Sequence, residues 1–193
     1  GPVTLGSSAN VLLGGPVLST AGAVQVTAAT NLIQSAGGSI TTGGLGSVAL
    51  VAAAGSMTLD ANVTNVSGPV SLTASASVAV NGDIRSATGA LTVQAGLGYT
   101  QGSAADLATG GSAPVSITAL SGSILLADGS TVVNAAGSVT LSATSDVGVS
   151  TVSSVSGNIV VTAGAGPSVA GSIFDTTAAE TPNFSTSGTL TLI

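Results

Sequence analysis

Apolar and polar residues alternate in short runs that return along the whole chain. GSVTLSA at 137–143 is one such run; GAVQVTA at 22–28, GPVSLTA at 68–74, GALTVQA at 89–95 and GNIVVTA at 157–163 are others. Each reads Gly-x-apolar-x-apolar-x, and period-2 alternation is the pattern of a strand with one buried face. The runs start at 1, 22, 46, 68, 89, 113 (Ala113 replacing Gly), 137, 157 and 188. The intervals are 21, 24, 22, 21, 24, 24, 20 and 31 residues. Self-similarity at a period of about 20 to 50 residues marks a solenoid.

Each period holds two further short strands. Residues 68–88 divide into PVSLTA, SVAVNG and DIRSAT, and 137–156 into SVTLSA, DVGVS and TVSSVS. Gly, Asn, Asp and Ser at the joints are turn residues, and Gly, Ser, Thr and Val are poor helix formers. The pattern predicts an all-β fold: a right-handed parallel β-helix of about eight coils of 20–24 residues, with three short strands per coil. Coils fill 1–163, a long inserted loop spans 164–187, and a final strand occupies 188–193.

Coils stack about 4.8 Å apart, so equivalent side chains form columns. The inward pairs of the first strand are Val3 and Leu5, Val24 and Val26, Val48 and Leu50, Val70 and Leu72, Leu91 and Val93, Val115 and Ile117, Val139 and Leu141, Ile159 and Val161, and Leu190 and Leu192, all aliphatic. A like charge repeated down a column would repel by about 0.9 kcal/mol per neighbour even in water. That accounts for a chain in which 4% of residues are charged. Eight coils span on the order of 40 Å.

Charge and composition then exclude whole classes. The single cation, Arg85, stands against seven acids for a net charge of −6, which argues against nucleic acid and anionic membrane surfaces. No apolar run is long enough for a membrane helix, and the two Phe and one Tyr cannot form the aromatic girdles of a membrane barrel. Cys and His are absent, which removes thiol chemistry and the commonest general base. With one Arg and dispersed Asp, an enzyme is not expected. The chain starts with Gly rather than Met, and neither end reads as a cap. It is therefore expected to be part of something longer or a unit that stacks on itself.

The phrases GPVSLTA, GALTVQA and GSVTLSA, in a Gly/Ala/Ser/Thr/Val-rich chain, resemble the stalks of filamentous haemagglutinin-like adhesins and autotransporter passengers. The resemblance covers all but 164–187. It implies a secreted bacterial protein extended from the cell surface, with a structural or adhesive role. The partners it suggests are further copies or repeats of the same chain, or a host glycan or surface.

Four features are candidate sites. Asp60, Asp83, Asp106 and Asp128 recur every 22 or 23 residues; lined along one edge they would offer oxygens to Ca²⁺, the one cofactor the sequence suggests. Asp also suits turns, as in Asn81-Gly82-Asp83. The outward first-strand positions, including Thr73 and Thr118, form a hydroxyl ladder like that of ice-binding solenoids, broken at Thr4 and Gly6, at Ala49 and Val51, and at Val160 and Thr162. Segment 164–187 holds Phe174, Asp175, Phe184 and the only Glu, Glu180, and is the expected partner-binding feature. Finally, Asn62, Asn65 and Asn183 begin Asn-x-Ser/Thr sequons.

Overall fold

A computed structural model of the chain describes residues 1–165, 170–178 and 183–193. Among these residues all regular elements are strands and all pairings are parallel. The strands form three sheets: nine in the sheet that begins with Val3–Ser7, eight in that beginning with Val11–Leu13, and eight in that beginning with Val17–Ser19. The chain visits the sheets in turn, so neighbours in one sheet are three strands apart in sequence. The expected all-β solenoid with three strands per coil is the architecture observed.

Register follows the repeat phrase. Val3, Val24, Val48, Val70, Leu91, Val115, Val139 and Ile159 stand in one column. Leu5, Val26, Leu50, Leu72, Val93, Ile117, Leu141 and Val161 stand in the next. From Val24 and Val26 through to Ile159 and Val161 these columns are sealed from solvent, no member being more than 2% exposed. The Ala that closes the phrase is also inward: Ala28, Ala52, Ala74, Ala95, Ala119 and Ala143 are buried. Leu32, Met57, Val78, Tyr99, Ile124 and Val147 face them from the second sheet, and Ile40, Val63, Ile84, Leu107, Val132 and Val152 from the third. Alternation alone places these residues inside, because successive strand side chains point to opposite faces.

Two expectations need correction. Val3 and Leu5 are half-buried, and Leu190 and Leu192 are 43% and 50% exposed. These four belong to the first and last strands of the sheet, which have a neighbour on one side only. The loss of burial goes no further than those strands: Val24 and Val26, one coil in from the start, are completely enclosed, Val26 lying between Leu5 and Leu50. Segment 164–187, expected as a loop, contributes Ile173–Asp175 to the second sheet and Phe184–Thr186 to the third. They pair with Val147–Val149 and Thr151–Ser154 and complete a further coil.

Burial depth sets the cost of truncation. Leu72 is fully enclosed, so Leu72→Ala is expected to cost about 2–5 kcal/mol. Leu192→Ala, at half exposure, is expected to cost under about 1 kcal/mol, from roughly 25 cal/mol per Å² of apolar area removed from water. Urea unfolding of both variants measures the difference.

Candidate functional site

Every coil turns three corners, and each corner must satisfy its own backbone groups. At the corner from the third sheet to the first, the last inward position of the third strand is always polar: Ser19, Thr42, Asn65, Ser86, Thr109, Asn134 and Ser154, none more than 3% exposed. Ser86 Oγ donates to the Gly68 carbonyl one coil below at 2.9 Å and accepts the Gly89 N–H at 2.8 Å. Ser154 repeats both bonds with Gly137 and Gly157. Asn65 and Asn134 do the same with four bonds each: Asn65 Nδ2 donates to the Gly46 and Pro69 carbonyls, and its Oδ1 accepts the Ser67 and Gly68 N–H groups.

This corner also explains the glycine that opens the phrase. Gly68, Gly89 and Gly157 lie directly above the glycine of the preceding coil, and a Cβ on any of them would collide with that carbonyl. The sequence signal for the polar column was available, though easily missed. Ser or Asn stands three residues before Gly22, Gly68, Gly89, Gly137 and Gly157. Where the corner is one residue longer, before Gly46 and Ala113, the residue is Thr. Thr42 Oγ1 has no hydrogen-bond partner among the described residues.

A second kind of contact recurs outside, at all three corners, on residues at or just before the start of strands. Asn10 Oδ1 accepts the Asn31 N–H at 3.1 Å, and Asn31 Oδ1 accepts that of Ser56 at 2.9 Å. Asn62 Oδ1 accepts the Asp83 N–H at 3.0 Å, Asp83 Oδ1 that of Asp106 at 3.1 Å, and Asp106 Oδ1 the Thr131 hydroxyl at 2.6 Å. Asp146 and Asn158 accept from Ser172 and Thr189 in the same sense. Each side-chain oxygen reaches the next coil.

The four aspartates considered for Ca²⁺ are therefore not brought to one edge. Asp83 and Asp106 do share a column, and Arg85 bridges them at 3.1 Å to each. Asp60 aligns with Asn81, two positions before the column of Asn62 and Asp83, and accepts Asn81 Nδ2 at 2.7 Å. Asp128 accepts the Ala178 N–H at 3.3 Å, far along the chain. Turn length is the reason. Leu59 registers with Val80, 21 residues on, and Asp106 with Thr131, 25 on, so a constant spacing of 22 or 23 drifts out of column. Among the described residues no group of three or more Asp, Glu, His or Cys side chains could hold a metal. The Arg85 pairs, with the guanidinium half-exposed, contribute about 0–1 kcal/mol each.

Segment 164–187 disperses its candidates. Phe174 faces outward beside Gly148, and a Cβ on that glycine would meet both the Phe174 ring and Leu125 Cδ1 at 2.8 Å. Its ring so fills the place a side chain would take on the coil below. Phe184 turns inward, packs against the core and stands above Val152. Asp175 Oδ1 accepts the Thr177 N–H and hydroxyl at 2.6 Å each and Asn183 Nδ2 at 2.8 Å. The Thr177 hydroxyl, the Asn183 amide and the Thr177 N–H together hold the Asp175 carboxyl below its ordinary range. Glu180 lies outside the described residues.

The outward first-sheet columns register Gln25 with Ala49 and Thr27 with Val51, so Thr73 and Thr118 belong to an interrupted hydroxyl ladder. On the third sheet a groove of about 550 Å³ runs where Ala87 and Gly110 leave a step between Val66 and Val155, with Arg85 on its rim. Inside, Tyr99 donates to Gln101 Oε1 at 3.1 Å, and burial pushes its phenol far above the usual range. Gln101 Nε2 in turn holds the long following turn through the Ala105 and Thr131 carbonyls. No family model, curated protein or solved structure matches this chain.

Two measurements test the corner chemistry. Asn65→Ala strands buried backbone groups and is expected to cost about 1–3 kcal/mol, whereas Thr42→Val, which removes an unpaired hydroxyl, is expected to be neutral or stabilising; urea midpoints decide. Asp175 gives a pH signature. Because its native pKa is lowered, its contribution is complete above the ordinary carboxylate range and is lost as pH falls through the native value. Amide exchange at Thr176 and Thr177, corrected for intrinsic rates, is expected to accelerate on acidification, and Asp175→Asn to show the faster exchange already at neutral pH.

Proposed function

We propose that the chain is a structural or adhesive segment of a bacterial cell-surface protein: a β-solenoid stalk or a subunit of a self-assembling filament. The observation that carries this reading is the unbroken register of three sheets around a sealed aliphatic interior. Such a rod holds its length through backbone hydrogen bonds directed along its axis. Its surface carries few charges and exposes apolar side chains such as Leu12, Leu18, Leu45 and Leu97, so neighbouring coils or copies approach without strong repulsion. The resemblance of the repeat phrase to adhesin stalks points the same way.

Self-association is the partner chemistry we favour. The outermost strands of a sheet present unpaired N–H and C=O groups, templates for further strands. Here they also present apolar side chains: Leu190 and Leu192 half-exposed at one end, Val3 and Leu5 half-buried at the other. Further coils of the same chemistry would cover both. A catalytic role is disfavoured by the carboxylates. Two acids acting across a glycosidic bond need about 5–10 Å and a free gap between them, and the Arg85 guanidinium spans Asp83 and Asp106.

Electron microscopy of the purified chain, with its mass in solution, tests the filament reading. Filaments of uniform width are the expected result. Dispersed rods on the order of 40 Å with a monomeric mass would overturn it and leave the single-chain stalk.

A further inference from the structure

The three sequons differ in one respect that decides their chemistry: whether the side-chain amide nitrogen is free. N-linked transfer joins that nitrogen to the anomeric carbon of an activated sugar. The C–N bond forms as the C–O bond to a phosphate leaving group breaks, the phosphate departs with the bonding pair, and the amide proton passes to a base of the transferase. The amide must therefore be presented outward, together with the hydroxyl two residues on.

At Asn65 this is blocked. The residue is 1% exposed, and Nδ2 is committed to the Gly46 and Pro69 carbonyls. A sugar there would have to enter the polar corner column. At Asn183, Nδ2 donates to the Val149 carbonyl at 3.0 Å and to Asp175 at 2.8 Å. Substitution of that nitrogen would break both bonds.

Asn62 stands in the same register column as Asn183 and is arranged differently. Strand alternation points Asn62 and Thr64 outward on either side of the buried Val63. Asn62 is exposed, and only its oxygen is engaged, by the Asp83 N–H at 3.0 Å. That bond turns Nδ2 away from the next coil, and among the described residues Nδ2 has no partner. A sugar on this nitrogen projects from the corner between the second and third sheets and displaces no bond.

We infer that Asn62 is the N-glycan acceptor of this chain, and that Asn65 and Asn183 are closed to sugar in the folded molecule. The inference is independent of the filament reading. The test is secretion of the chain through a host that transfers oligosaccharide to Asn-x-Ser/Thr. The folded, β-rich fraction is treated with a glycan-releasing amidase in H₂¹⁸O, and the labelled asparagines are read by mass spectrometry. Label at Asn62 alone is expected, lost in Asn62→Gln. Thr64→Ala removes the sequon and leaves the bond to Asp83 intact, so it is expected to abolish the label without changing the circular dichroism. An unlabelled Asn62, or a folded fraction labelled at Asn65 or Asn183, would overturn the inference.

Discussion

Parallel backbone pairing along the axis sets a spacing of about 4.8 Å between coils, and the remaining features of this molecule follow from it. At that distance each side chain's nearest neighbour is the side chain in the same position one coil away. A column tolerates aliphatic groups, which pack, and hydroxyls or amides, which bond. Like charge on successive coils repels, and where it occurs, at Asp83 and Asp106, the Arg85 guanidinium bridges the two. The interior columns that run from Val24 and Val26 to Ile159 and Val161 are the first kind, and Ser19 through Ser154 are the second. The scarcity of charge belongs to the architecture before it belongs to any function.

The corners face a different demand. Buried backbone donors and acceptors must be paired, and a bend interrupts the sheet ladder that would pair them. Ser86, Ser154, Asn65 and Asn134 supply the missing partners by reaching a carbonyl of the coil below (glycine for the first three, Ala113 for Asn134) and the glycine N–H of their own corner. The glycines are needed because backbone lies on backbone there. Outside, Asn62, Asp83 and Asp106 bond upward in a chain of side-chain oxygens. Residues that look like ligands in a sequence are here occupied by the next coil.

The same logic recasts segment 164–187. Its two Phe residues divide between faces because they stand at opposite phases of two strands: Phe174 central in an Ile-Phe-Asp strand, Phe184 first in a Phe-Ser-Thr strand. One fills space beside Gly148 and the other extends the third-sheet core column. Asp175 bonds Thr177 and Asn183.

Much of this was legible in the chain itself. The repeat phrase determined the strands, their inward faces and the solenoid, because a period of 2 nested in a period near 22 admits one packing: strand on strand in register. It also located the core residues of the first sheet, apart from the ends of the stack, where a column has no second neighbour. Tertiary structure alone decided which corner residues meet. Turn lengths vary from coil to coil, so equal spacing in sequence does not mean equal height or column, and Asp60 and Asp128 fall away from Asp83 and Asp106 for that reason. It alone also showed which side-chain amides are engaged. Asn62, Asn65 and Asn183 read alike as sequons and differ in exposure and in whether the side-chain nitrogen is already engaged.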